Sequence, residues 1–418
     1  MSGAETDNAP GQPNSPVRRA ALAFIFVTVL LDMMALGMVL PVLPKLVESF
    51  TGGDTARASE IYGLFGTAWA LMQFLFSPVL GALSDRYGRR PVILISNFGL
   101  GLDYVLMALA PSLAWLFVGR VISGITAASI STSYAYIADV TAPANRARAF
   151  GLLGAAFGVG FVIGPAIGGV LGTIDPRLPF WAAAGFSLAN ACYGLFVLPE
   201  SLARAHRVGF VWRRANPIGA LALLRSHREL FGLAAANFLS YLAHVALQSI
   251  FVLYAGYRYG WDEQAVGLTL AFVGVCALIV QAGLVGWIVG RVGERVAAII
   301  GFVFGAIGLA IYGVAETGWM FLVGIPVMSL WGLAGASIQA LMSQRVAVGQ
   351  QGQLQGANNS LMGISNMTGP VIFAGLFAYS IGAGRDWNLP GAAFLLAALM
   401  LIAATAVVWR VTRISRAD

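Results

Sequence analysis

Charge is what this 418-residue chain has least of. Asp, Glu, Lys and Arg make up 10% of it, against about 25% in soluble globular domains. Hydrophobic residues make up 58% and the mean hydropathy is +0.79. A water-soluble core cannot hide that much apolar surface, so lipid must be the solvent for most of the chain. Cysteine is nearly absent too. Cys192 and Cys276 both fall in apolar segments, which reads as two buried free thiols and excludes a disulfide framework. The three histidines, His206, His227 and His244, are too far apart in sequence to suggest a ligand cluster, so no metal site and no cofactor are expected. Long polar stretches are missing as well. The longest, 200–229, is too short for an appended catalytic or signalling domain, which argues against an enzyme or a receptor.

What is present is a series of apolar runs. A spanning helix needs roughly 20 apolar residues, and the 51 glycines suit membrane helices better than soluble ones. Twelve spans are expected, near 20–44, 60–83, 92–111, 113–137, 148–172, 180–199, 230–254, 265–289, 296–315, 319–343, 356–381 and 390–411. Residues 1–17 read as a disordered polar tail. The apolar run after Arg18 and Arg19 is too long for a signal peptide and no small-residue cleavage site follows it, so it is taken as the first permanent span. The 200–229 connection divides the chain into an N-terminal bundle, 18–199, and a C-terminal bundle, 230–418, of six helices each.

Charge then fixes orientation. With the N-terminus inside, nineteen of the 25 basic residues fall on the cytoplasmic side, five on the other, and Arg120 within a span. That bias places both termini in the cytoplasm. The net charge of +7 therefore needs no nucleic-acid partner.

The two halves resemble each other at a shift of about 205 residues. GALSDRYGRR (81–90) answers GWIVGRVGER (286–295), GPAIGG (164–169) answers GPVIFA (369–374), and GITAASI (124–130) answers GLAGASI (332–338). Six-span repeats around a central site are how one large class of secondary transporters is built.

Four groups of residues stand out. In GALSDRYGRRP, Gly81 and Gly88 permit a tight turn and close helix approach, and Asp85 can cap the next helix or pair with an arginine. With Arg86, Arg89 and Arg90 they read as a gate or hinge beyond what topology alone needs. In span five, Gly160, Gly164, Gly168 and Gly172 recur every fourth residue beside Pro165 and Gly169, a face that lets another backbone come close; generic membrane packing is the plain alternative. Only Asp32, Asp103 and Arg120 are charged clearly inside spans. A mid-membrane acid costs roughly 2.5–3.5 kcal/mol on insertion scales and by default marks a substrate, ion or proton pathway. Arg120 can hold one aspartate ionised while the other exchanges protons, Asp32 being the first choice and Asp103 the second; a static ion-paired network is the alternative. The C-terminal half has no central charge. It offers Asn237, His244, Gln248, Gln281, Gln339, Asn358, Asn359 and Asn366, which with nearby aromatics suit an amphipathic ligand. Gln73, His244, Gln248, Gln339, Asn359 and Asn366 are the candidates for substrate binding.

The chain resembles the major facilitator superfamily, in particular the twelve-span drug:proton antiporters, and most nearly the tetracycline-efflux branch. The resemblance rests on LDMMALGMVLPVLP (31–44), QFLFSPVLGALSDRYGRRP (73–91), VGRVISGIT (118–126), YIADVTAPANRARAFG (136–151), GPAIGGVLG (164–172), LPES (198–201) and QGQLQG (351–356). It implies an all-α integral membrane protein with two pseudo-symmetric six-helix bundles. It also implies alternating access and export of a small amphipathic compound in exchange for protons, by a monomer in the bacterial inner membrane. It assigns the proton-coupling role to Asp32, Asp103 and Arg120 and the antiporter motif to Gly160, Gly164, Pro165, Gly168 and Gly169. One departure bears on substrate. The resembling exporters carry an aspartate in span nine and a histidine in span eight, where this chain has Gly305 and Ala277. That leaves open another amphipathic substrate, coupling by the N-terminal acids alone, or an exporter or facilitator of a metabolite or lipid-like compound without obligate proton antiport.

Overall fold

The computed structural model describes residues 16–127, 129–141, 145–202, 204, 207, 221, 223–224, 228–347 and 350–414. All but two residues of the expected tail lie outside them, and so does most of the central connection, with His206 and His227. The described residues form helices α1 (Pro16–Val39), α2 (Leu43–Phe50), α3 (Thr55–Tyr87), α4 (Arg89–Leu109), α5 (Leu113–Thr126), α6 (Ser129–Val140), α7 (Arg146–Ile174) and α8 (Leu178–Val197). After the connection come α9 (Arg228–Tyr259), α10 (Glu263–Ile279), α11 (Val285–Val314), α12 (Gly318–Ser329), α13 (Gly332–Ser343), α14 (Gln351–Ile381) and α15 (Ala392–Ile414). In hydrocarbon every backbone N–H and C=O must be hydrogen-bonded, and a helix is the form in which an apolar run of this length satisfies its own groups.

Among the described residues, ten segments are long and apolar enough to cross a membrane. One of them, Glu263–Val314, has 52 residues. At ~1.5 Å per residue it is more than twice the ~30 Å of hydrocarbon, so it cannot be one crossing. Gly293 breaks it, with φ 77° and ψ 162°, a conformation open to glycine alone. Dividing it there and adding the α5–α6 pair recovers the twelve crossings read from the sequence. The expected first span, 20–44, is shorter in the structure. Pro41 follows the end of α1, and the chain turns into α2, whose Leu43, Leu46 and Val47 are buried.

The repeat is visible in the backbone. Gly88 (φ 111°) and Gly293 (φ 77°), at matching places in the two halves, both hold positive-φ turns. The breaks between α5 and α6 and between α12 and α13 fall at similar places in the two halves, the first inside GITAASI (124–130) and the second just ahead of GLAGASI (332–338). Helices α1 and α3–α8 pack among themselves, as do α9–α15. The halves meet chiefly through α3 against α14 and α7 against α10.

Those contacts lie toward the face away from the arginine-rich loops. Ser59 Oγ donates to Ala374 O at 3.0 Å and Thr67 Oγ1 to Met367 O at 2.9 Å. Lys45 Nζ, from α2, packs on Gly256 near the end of α9. On the arginine-rich face, Gly81, Gly151, Gly154, Gly283, Gly286 and Gly290 border open space: a methyl added at any of them would meet nothing within 4 Å. These hydrogen bonds between the halves thus lie toward one face, the closed one, and the arginine-rich, parted face holds none of them among the described residues. One expectation is corrected. Cys276 is a buried free thiol, but Cys192 is exposed, because its side of α8 faces outward rather than into the bundle.

Candidate functional site

The three intramembrane charges are all buried inside the N-terminal half. Asp32 is buried in the middle of α1. Asn190, on α8, donates its amide to Asp32 Oδ1 at 3.1 Å and to Thr28 O at 3.3 Å, and accepts from Thr28 Oγ1 at 3.1 Å. One asparagine therefore ties α1 to α8 and orients the carboxylate. Asp103, on α4, is fully buried. Its partner is Arg120 of α5, with Nη2 3.8 Å from Oδ2, an ion-pair distance longer than a hydrogen bond. Arg120 Nη2 also lies 3.4 Å from Met107 Sδ. At an effective dielectric of ~20 such a pair attracts by about 4 kcal/mol, against which stands the loss of hydration of both ions. Asp103 and Arg120 form one buried pair, and Asp32 is buried in the same half, held by Asn190. Geometry sorts the two acids: Arg120 stands beside Asp103, while Asp32 accepts from the neutral amide of Asn190.

The loop motif forms a second network on the arginine-rich face. Arg89 donates to Asp85 Oδ1 at 2.5 Å, to Ser84 Oγ at 2.7 Å and to Asp139 Oδ2 at 3.1 Å. Asp85 thus pairs with an arginine instead of capping α4. The cap is Glu200, whose carboxylate accepts from the backbone N–H of Arg89 at 2.8 Å and of Arg90 at 3.3 Å, where the helix dipole favours an anion. Arg90 Nη2 donates to Leu195 O at 2.6 Å, closing the end of α8. Gly88 is needed twice over, for its positive φ and because a side chain there would collide with Glu200. Arg86 is exposed and lies over the Tyr87 ring, and Gly81 faces open space. Sequence reasoning does not single out Asn190, Asp139 or Glu200. The latter two sit inside YIADV and LPES, segments that carry the resemblance.

The glycine stripe of span five has two distinct faces. Gly160, Gly164 and Gly168 lie on α1, while Gly172, at the end of the stripe, stands between Val42 and Glu263 of α10. A Cβ would stand 2.7 Å from Met33 Cβ at Gly160, 2.7 Å from Met34 O at Gly164 and 2.5 Å from Met38 Cα at Gly168. Gly169 and the Pro165 carbonyl instead face α10 across the molecule; a Cβ on Gly169 would stand 2.5 Å from Glu263 O and 3.1 Å from Gly267 Cα. The first face packs within a half and the second packs between halves.

The uncharged polar groups of the C-terminal half are only partly gathered. Asn237 donates to Asn358 Oδ1 at 3.3 Å, Asn358 to Gln339 Oε1 at 2.7 Å, and Gln339 to Gln355 Oε1 at 2.6 Å. This chain of amides runs across α9, α14 and α13. His244 is exposed and meets the Trp331 ring edge-on at 5.5 Å; Trp331 Nε1 in turn donates to Ser240 Oγ at 3.1 Å. Gln281 lies in a π-turn, Val280–Leu284, facing Gly332 at the α12–α13 break; such turns recur at functional sites. Gln73, Gln248, Asn359 and Asn366 make no side-chain hydrogen bond to another described residue. Gly305 has no room for an acid. A Cβ there would stand 2.8 Å from both Trp331 Cγ and Leu401 Cδ1.

A family profile described as Major Facilitator Superfamily matches residues 25–370. The class C tetracycline resistance protein of Escherichia coli is 38% identical over 90% of this chain and 95% of its own length. The class G tetracycline resistance protein of Vibrio anguillarum is 36% identical over 88% and 93%. Among solved structures, a bacterial homologue of the human lysosomal transporter Spinster, in an inward-facing conformation, superposes with a TM-score of 0.76. It is 16% identical and covers 96% of this chain and 98% of its own.

Proposed function

Because this chain belongs to the major facilitator superfamily, and is a multi-pass membrane transporter rather than an enzyme, we propose that it exports a small amphipathic drug-like compound in exchange for protons. The carrying observation is the burial of Asp32 and of the Asp103–Arg120 pair inside the N-terminal half, in a chain more than a third identical to tetracycline resistance proteins. Asp103 is balanced by the Arg120 cation. Asp32, oriented by the Asn190 amide at the centre of α1, is the group that gains and loses the proton. A proton taken from the outside when the site faces out, and released when it faces in, drives the exchange; each charge moved across 100 mV supplies about 2.3 kcal/mol.

The arginine-rich face, with both termini, is cytoplasmic in this reading, which makes the parted face the inward-open mouth. The two bundles, 18–199 and 230–418, rock about α3–α14 and α7–α10, and one chain suffices for transport. Substrate enters between the bundles and meets Gln73, His244, Gln248, Gln339, Asn359 and Asn366. Position 305 is a glycine packed against Trp331, so no acid stands there to neutralise a metal-chelated drug. That favours substrates that do not travel as a metal complex.

The test is proton movement in inside-out vesicles with an acidic lumen, on adding tetracycline and then a panel of lipophilic cations and dyes. Substrate-triggered proton release that disappears in Asp32→Asn is the expected result. Measurable substrate flux without proton release from any compound would replace antiport with a facilitator. Full coupling in Asp32→Asn would move the proton to Asp103.

A further inference from the structure

An apolar groove of about 620 Å³ runs along the outside of the C-terminal half between α11 and α15. Val303, Ala306 and Ala310 form one wall and Ala398, Ile402 and Trp409 line the other. The groove exists because small alanines on both helices leave a furrow where larger side chains would fill it. Nothing in the described chain covers it: Ile307, Ile402 and Trp409, all lining it, are 46%, 56% and 47% exposed. From Ala398 to Trp409 it follows α15 for roughly 16 Å at ~1.5 Å per residue, about half of the ~30 Å hydrocarbon thickness. That is the reach of one acyl chain in one leaflet.

The end of the groove is charged. Arg295 lies over the Trp409 ring at 5.8 Å, and Arg291, on the other side of the Gly293 turn, lies over Trp287 at 3.8 Å. Arg410 is exposed next to Trp409. Among the described residues none of these three arginines pairs with a carboxylate. The neighbouring acid, Glu294, is turned toward Gln344, 3.4 Å away. An amphipathic tryptophan and unneutralised guanidinium groups thus mark the headgroup level at the mouth of a furrow one leaflet deep.

We propose that this groove binds one anionic phospholipid, with an acyl chain lying between α11 and α15 and the phosphate held by Arg295. Arg410 adds to the positive potential at the headgroup. The site is on the opposite side of α11 and α15 from the amides of the bundle interior and is independent of which substrate is carried.

The experiment is native mass spectrometry of the purified full chain in detergent, titrated with palmitoyl-oleoyl phosphatidylglycerol or with its phosphatidylcholine counterpart. The first phosphatidylglycerol is expected to bind roughly fivefold more tightly than the first phosphatidylcholine, the worth of one arginine near an anionic surface. Arg295→Gln should remove that preference. Ala306→Phe, which fills the furrow, should reduce binding of both lipids. Arg385→Gln, in the loop before α15, should change neither. The wild-type comparison does not depend on any variant folding. Equal binding of the two lipids would mean annular contact only and would overturn the proposal. So would a preference unaffected by both Arg295→Gln and Ala306→Phe, or a lipid-free dimer covering this face.

Discussion

Gly168 and Gly169 are adjacent in sequence and face different partners, so one methyl group placed on each should do different things. On Gly168 the new Cβ meets the Met38 backbone, with Cα at 2.5 Å; on Gly169 it meets the Glu263 carbonyl at 2.5 Å and Gly267 Cα at 3.1 Å. Ordinary carbon contacts begin at about 3.5 Å, so each change forces a helix pair apart by about 1 Å. Overpacking of this kind costs roughly 1–3 kcal/mol. The α1–α7 contact lies within one half and persists through any rocking motion, so Gly168→Ala should lower the stability of every state alike. The α7–α10 contact joins the halves, and Gly169 sits at its end on the closed face. Gly169→Ala should therefore penalise the conformation seen here and leave one opened at that face untouched. A penalty of about 2 kcal/mol shifts that equilibrium roughly 30-fold. Spin labels at Ile174→Cys and Asp386→Cys, in a Cys192→Ser, Cys276→Ser background, would report the separation of the halves on that face by pulsed electron resonance. Gly169→Ala should add a longer distance, while Gly168→Ala should keep the wild-type distance and lower the apparent melting temperature. If Gly169→Ala leaves the distances unchanged and only lowers the melting temperature, the two-face account of span five is wrong.

Other variants probe the buried charges and the packing of Gly305 against Trp331. Asn190→Ala removes the amide that orients Asp32; hydrogen bonds to charged groups contribute about 1.5–3 kcal/mol, so substrate-triggered proton release in vesicles should fall roughly tenfold or more with expression maintained. Arg120→Leu leaves the buried Asp103 carboxylate without its cation, a loss of roughly 3–5 kcal/mol. Adding Asp103→Asn should recover most of the thermal stability, and a double variant no better than the single would deny their pairing. Gly305→Asp should lower the melting temperature or the yield of folded protein, because the side chain has to displace Trp331; a second change, Trp331→Gly, should restore it, and an unaffected Gly305→Asp would show that the packing around Gly305 gives way.

Much of the molecule is legible in the residue order. Hydrocarbon forbids unsatisfied backbone, so run length gives the crossings and the arginine bias gives a sidedness. The weak repeat proves to be a repeat of backbone events, with glycines at 88 and 293 turning at positive φ. The rarity of charge inside the spans also isolates Asp32, Asp103 and Arg120 without help. What sequence could not decide is who meets whom. Arg120 stands about two helical turns along α5 from its start, and only the packing of α5 on α4 places it 3.8 Å from Asp103. Asn190 looks like any polar residue in an apolar run until α8 folds against α1. Glu200 belongs by position to the connection after α8, yet it caps α4, more than a hundred residues earlier in the chain. The same holds for Gly305, whose emptiness in sequence is filled in space by Trp331. Periodicity and composition are local properties that lipid reads directly, whereas pairings between helices depend on how the bundles close, and that is fixed only when the side chains meet.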